Sequence, residues 1–252
     1  MGVIKRIFKG WNAFELVLLT VSVTVIPVLG IVYGSSVFEL VASVGGAVAS
    51  LFYCKGKIEG YFLSLVTMAF EIVAAWQVML FATVFNIFAF AYPMVFFGIL
   101  SWARNRRRDA DKGRVVVIGG VKAKEMLIVL AVAPFVAVGV FFMLQAFGTK
   151  FLVVSTIMSV VGMVAAYLIA RRSKMCFFLY AALDLINGVL WTLLLIEGHV
   201  GAVAIIAMCA IYFVMDIYAI IEWQRLQKRQ ETRGIVDGKK SDVILNEAKK
   251  LA

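Results

Sequence analysis

Five side chains between Met175 and Trp191 carry chemistry that a merely apolar helix does not need. Phe177, Tyr180, Asp184, Asn187 and Trp191 follow one another at intervals of 3, 4, 3 and 4, which sets them in a single stripe. Rings above and below a carboxylate and an amide suit a flat, polar, cationic solute. A carboxylate within a bilayer is costly, and such groups usually face a bundle interior or a water-filled path. The plainer alternative is that Asp184 and Asn187 hydrogen-bond a neighbouring helix. Other apolar stretches carry matching groups. Thr67 and Glu71 lie one turn apart, Asn86 and Tyr92 share a stretch, and Asp216 falls between Tyr212 and Tyr218. The candidate solute site is the stripe together with Thr67, Glu71, Asn86 and Asp216.

Whatever positions these groups must cross a membrane. The chain has 252 residues, 63% of them hydrophobic and 16% charged, with a mean hydropathy of +0.97. Soluble domains carry roughly a quarter charged residues. Several runs of about 20 apolar residues indicate an all-α polytopic membrane protein. The single histidine, His199, excludes a histidine-based metal centre, and the three cysteines form no CxxC pattern. There is no GxxxxGK[ST], GxSxG or HExxH stretch, so nothing points to nucleotide hydrolysis or another enzymatic activity, and no cofactor is expected. The net charge of +10 reflects topology rather than nucleic-acid binding.

Eight spans are expected, at about 14–33, 36–54, 60–78, 80–102, 126–147, 151–171, 175–195 and 200–222. A basic start before an apolar run also fits a signal peptide. No small-residue cleavage site follows, so an uncleaved helix is expected. Pro93 should bend the fourth span. With the amino terminus in the cytoplasm, only Lys150 of the 25 lysines and arginines falls in an outer loop. The positive-inside rule therefore places both termini in the cytoplasm of a cell, inner or plasma, membrane. The loop 103–125 reads as a solvated topology signal, with anionic-lipid or partner binding as the alternative. Glu39, His199 and Glu222 are expected near the interfaces and solvated.

The chain also repeats itself. Residues 41–49, VASVGGAVA, match 157–165, IMSVVGMVA, at an offset of 116. Lys55 then meets Arg171, Glu71 meets Asn187, and after a change of loop length Trp102 meets Trp223. The expected organisation is an amino-terminal helix (1–35), a three-helix unit (36–102), a basic loop with a linker helix (103–150), a second unit (151–223) and a tail (224–252). Two parallel units joined by one helix give a 1 + (3-1-3) arrangement with the pseudo-symmetry of SWEET-type facilitators. Such proteins bind solute between their repeats near mid-membrane.

The stretches GKIEGYFLSLV at 56–66, AYPMVFFGILSW at 91–102, SVVGMVAAYLIARR at 159–172 and IYFVMDIYAIIEW at 211–223 resemble the PnuC-type vitamin transporters, whose best-known members carry nicotinamide riboside. The likeness implies a three-one-three fold and facilitated diffusion of a vitamin that is trapped by cytoplasmic phosphorylation. It also implies that the family's WxxW and following polar residue correspond to Phe177, Tyr180 and Asp184, where Asn is more usual at the last position. The corresponding Asn of the first unit falls on Thr67. Both tryptophans are replaced, which leaves the vitamin open among nicotinamide riboside, thiamine and riboflavin. Ionised carboxylates would favour the two cationic candidates. Proton-coupled carriage is the rival mechanism. A non-transporting interaction or receptor protein is the rival of another class. The sequence leaves oligomeric state open, a homo-oligomer included.

Overall fold

The computed structural model describes residues 10–77, 81–109, 113–149, 151–198 and 202–233. The expectations for Lys150, His199 and most of the tail lie outside these residues. Helix α1 (Ala13–Val32) and α2 (Val37–Cys54) each begin with a reciprocal capping box, Asn12 with Glu15 and Ser36 with Glu39. Helix α3 (Glu59–Gln77) follows a tight turn at Gly56. A fourth span runs through α4 (Phe81–Asn86), a five-residue π-helical segment (Ile87–Ala91) and α5 (Tyr92–Arg104). A short hairpin, β1 (Arg106–Asp109) with β2 (Gly113–Val116), pairs Arg106 with Val116. Then come α6 (Ala123–Ala146), α7 (Leu152–Ala170), α8 (Met175–Ile196) and α9 (Ala202–Thr232).

Among the described residues eight helices are long and apolar enough to span a membrane, matching the expected eight. Just before Pro93, where a bend is expected, the span carries the five-residue π-helical segment. Proline has no N–H to offer the carbonyl four residues earlier, and the Tyr92 N–H reaches instead to Ile87, five residues back.

Six spans close a ring. Helix α2 packs on α3, α3 on α5, α5 on α7, α7 on α8, α8 on α9, and α9 returns to α2. Helix α1 lies outside, against α2 and α9, and α6 packs on α7 alone among the stronger contacts. The outward residues of α6 suit lipid, with Phe135 80% exposed. Helix α1 is fastened by a buried ion pair. Lys55 Nζ lies 2.5 Å from Glu15 and donates to the Gly10 carbonyl at 2.7 Å. The Tyr218 hydroxyl donates to the other oxygen of Glu15 at 2.8 Å. Burial is the largest influence on the Lys55 ammonium and lowers its pKa, while Glu15 pulls it back up.

The end of the ring that carries Lys55, Lys57, Arg171 and Arg172, called the basic end below, holds a cluster of fully buried side chains. Trp102 and Trp223 are fully buried there with Cys54, Cys176 and Leu226. Glu222, expected in solvent, is instead 3% exposed. It sits beside Trp223 on the same helix and is drawn into this packing, because α9 continues well past the apolar run to Thr232.

Candidate functional site

Inside the ring is a cavity of about 550 Å³, in the size range of small-molecule sites. It extends from Glu39 in the first turn of α2 to Tyr53, Tyr61 and Phe177 at the basic end. Four helices present one stripe each. Helix α2 contributes Glu39, Ser43, Gly46, Ser50 and Tyr53 at intervals of 4, 3, 4 and 3. Helix α3 contributes Tyr61, Ser64, Thr67 and Glu71. Helix α8 contributes Phe177, Tyr180 and Asp184, and α9 contributes Met208, Tyr212 and Asp216.

Two glycines let the helices approach. A Cβ on Gly45 would come within 2.2 Å of Thr67 Cγ2, and one on Gly98 within 2.3 Å of the Tyr61 ring. The Tyr61 ring is thereby seated edge-on against Tyr53 (centroids 4.8 Å) and Trp102 (5.0 Å). Trp102 continues to Trp223 at 5.8 Å, and Trp223 to Phe177 at 5.0 Å. Of this chain of rings, Tyr53, Tyr61 and Phe177 line the cavity floor, and the two indoles join them to one another. Each indole anchors to the next helix of the ring: Trp102 Nε1 on α5 donates to the Ile169 carbonyl of α7 at 2.8 Å, and Trp223 Nε1 on α9 to the Tyr53 carbonyl of α2 at 3.0 Å.

Most polar groups of the wall are satisfied within the protein. The Tyr53 hydroxyl shares a hydrogen bond with Ser64 at 2.8 Å, Thr67 donates to the Ser64 carbonyl at 3.1 Å, and Tyr212 to the Ser43 carbonyl at 3.3 Å. Two are not. The Tyr61 hydroxyl and Oδ2 of Asp184 are buried and have no hydrogen-bond partner. Unpaired buried polar atoms are costly in a native fold, and a ligand is one established reason for them. The carboxyl groups of Asp184 and Asp216 interact with one another. Two neighbouring carboxyl groups disfavour a second negative charge and can share a proton.

Of the nine residues singled out in the sequence, six line the cavity: Thr67, Glu71, Phe177, Tyr180, Asp184 and Asp216. Asn86, Asn187 and Trp191 do not. Asn86 precedes the π-helical segment. Asn187 is turned toward the Cys209 thiol, and Trp191, half-buried, is farther along α8. Tyr53, Tyr61 and Ser64 were not among the candidates. Tyr61 and Ser64 continue the Thr67–Glu71 spacing by further turns, and the α2 stripe has the same period, so both were readable. Serine and tyrosine are common in membrane helices, so their positions stand out less than a carboxylate's.

The family model described as nicotinamide mononucleotide transporter matches residues 36–225. The chain belongs to this family. It is 23% identical over 230 residues to the nicotinamide riboside transporter PnuC of Neisseria mucosa, covering 89% of this chain and 86% of the relative. It is 21% identical over 221 residues to PnuC of Haemophilus influenzae, covering 88% and 94%. The crystal structure of the vitamin B3 transporter PnuC superposes with a TM-score of 0.75 at 21% identity, covering 90% of this chain and 97% of that one. The family and fold are those of a multi-pass membrane transporter, not of an enzyme. The family match begins at the start of α2 and leaves α1 outside it, just as α1 lies outside the ring.

Proposed function

We propose that this protein mediates facilitated diffusion of a cationic vitamin, nicotinamide riboside foremost, across the inner membrane into the cytoplasm. The observation that carries the reading is the pair of unpartnered groups, Asp184 Oδ2 and the Tyr61 hydroxyl, in a cavity floored by aromatic rings. An aromatic face and an anionic oxygen together suit a pyridinium carried on a hydroxyl-bearing sugar. Both related bacterial proteins bear the name of nicotinamide riboside transporter, which favours the same solute here. Phe177 and Tyr180 would stack the heterocycle, Asp184 and Tyr61 would hold its polar groups, and Thr67, Glu71 and Asp216 would complete the wall. In this reading the basic end faces the cytoplasm, which the distribution of lysine and arginine favours. The units 36–102 and 151–223 rock against each other, with α1 and α6 as bystanders.

The deciding experiment is thermal stabilisation of the detergent-purified protein by nicotinamide riboside, thiamine and riboflavin in parallel. A ligand bound to the folded state raises its apparent stability with concentration over Kd. Nicotinamide riboside is expected to give the largest shift. A larger shift with thiamine or riboflavin would replace the solute, and no shift with any of them would remove the vitamin assignment.

A second mechanism has its own support. The Asp184–Asp216 pair is a place where a proton could be taken up and released as solute passes. Uptake into liposomes that follows an imposed proton gradient would favour coupling, and equilibration without accumulation would favour facilitation.

A further inference from the structure

From the end of β2 toward α6, residues 115–118 are not a surface loop. Val115, Val116, Val117 and Ile118 are all less than a tenth exposed. Each backbone N–H from Val116 to Gly119 is donated to a different part of the chain. Val116 donates to the Gly56 carbonyl at 2.9 Å, Val117 to Asn105 at 2.8 Å, and Gly119 to Arg172 at 3.0 Å. Ile118 donates to the side-chain oxygen of Gln230 at 2.9 Å, and the amide nitrogen of Gln230 donates back to the Val116 carbonyl at 2.9 Å. The Arg172 guanidinium donates to the Val117 carbonyl at 3.1 Å.

The two anchor carbonyls occupy comparable places. Gly56 ends the turn between α2 and α3, and Arg172 ends the turn between α7 and α8. Both have left-handed backbone, with φ of 65° and 64°, and they stand 116 residues apart, the offset of the sequence match. The carbonyls that accept from the two indoles, Tyr53 and Ile169, are separated by the same 116. The strap thus bridges equivalent turns on opposite sides of the ring, next to the aromatic floor. Its α-carbons at Val116 and Gly119 can be at most about 11 Å apart. Separating the two turns beyond that reach must break the strap from one of them.

We propose that residues 115–119 form a latch that holds the basic end shut, with Gln230 on the extended α9 as its catch. The cavity opens toward the cytoplasm only when the strap leaves the Gly56 turn or the Arg172 turn. Gln230 grips the strap by both the oxygen and the nitrogen of its amide and lies on the helix that also carries Tyr212 and Asp216 in the cavity wall. Movement of α9 around a solute therefore reaches the catch through one continuous helix. The latch rests on the reading that this cavity opens at its basic end.

Three native cysteines report on it. Cys54 and Cys176 are buried at the basic end, 1% and 0% exposed, whereas Cys209 is buried on α9 within the membrane span. The rate of N-ethylmaleimide labelling at each cysteine would be followed by mass spectrometry on the full chain in liposomes. Gln230→Leu removes both amide bonds to the strap. It is expected to raise labelling of Cys54 and Cys176 on the order of tenfold, the shift for two ordinary hydrogen bonds lost from the closed state alone, with Cys209 unchanged. Gln227→Leu, which removes only an exposed contact to Glu231, should leave all three rates as they are. Unchanged rates at Cys54 and Cys176 in Gln230→Leu would overturn the latch. A parallel rise at all three cysteines would also overturn it, since that marks general loosening. Gln230→Glu keeps the acceptor for Ile118 and loses the donor to Val116. It gives the same test at smaller amplitude should Gln230→Leu not reach the membrane. Labelling needs no solute, so a failed vitamin assignment and a failed latch give separate signatures.

Discussion

At the residue scale, binding energy should concentrate on two atoms that lack hydrogen-bond partners, Oδ2 of Asp184 and the Tyr61 hydroxyl oxygen. A hydrogen bond to a charged group contributes about 1.5–3 kcal/mol, so Asp184→Ala is expected to weaken binding of a cationic vitamin by roughly 10- to 150-fold. Calorimetric titration of the purified protein would check this, with unchanged melting of the solute-free protein as the folding control. Asp184→Asn keeps the shape and removes the charge. Its thermal shift with nicotinamide riboside and thiamine should fall while that with riboflavin holds. Tyr61→Phe separates fold from function in the other direction. The hydroxyl is buried without a partner, so its removal should leave the empty protein as stable as before or more so, yet weaken the solute shift. A loss of stability without solute would mean that Tyr61 is satisfied structurally and is not poised for a ligand.

At the element scale, close approach is fixed by small residues and by one buried ion pair. Gly98→Ala drives a methyl into the Tyr61 ring and should destabilise by about 1–3 kcal/mol, visible as a lower melting temperature. Breaking one side of a buried pair costs about 3–5 kcal/mol. Glu15→Gln or Lys55→Met alone should therefore lower stability far more than the two together, a coupling that a double-mutant thermal-melt cycle measures. The carboxylates of α3, α8 and α9 were legible because a charge in an apolar run stands out. The α2 stripe has an equally regular period, but serine, glycine and tyrosine are ordinary in membrane helices, so the pattern carried no alarm. Asn187 shares the stripe of Asp184 in sequence, yet one helical face is wide enough for the two to meet different neighbours. The eight spans were legible from hydropathy. The strap was not: Val115 to Ile118 are four apolar residues in a basic loop, too few to span anything, and only tertiary hydrogen bonds give them a place.

At the scale of the whole molecule, a closed ring of six helices surrounds the cavity, and the remaining two spans pack outside it. For a facilitator in this arrangement, labelled vitamin should equilibrate across liposomes without an ion gradient and exchange faster when unlabelled vitamin is present inside. Accumulation above equilibrium would require a coupled ion. Connections between helices ordinarily absorb inserted residues with little penalty, because they run over the surface and bear no load. The turns at Gly56 and Arg172 are different, since their carbonyls are docking points for a strand from elsewhere in the chain. One extra glycine after Gly56 would rotate that carbonyl away from Val116 and put the two sides of the ring out of step. The same insertion beside Gly198, where an added side chain meets nothing, should pass unnoticed. Loop length is therefore a working dimension of this protein at its basic end, held as tightly as the diameter of its cavity.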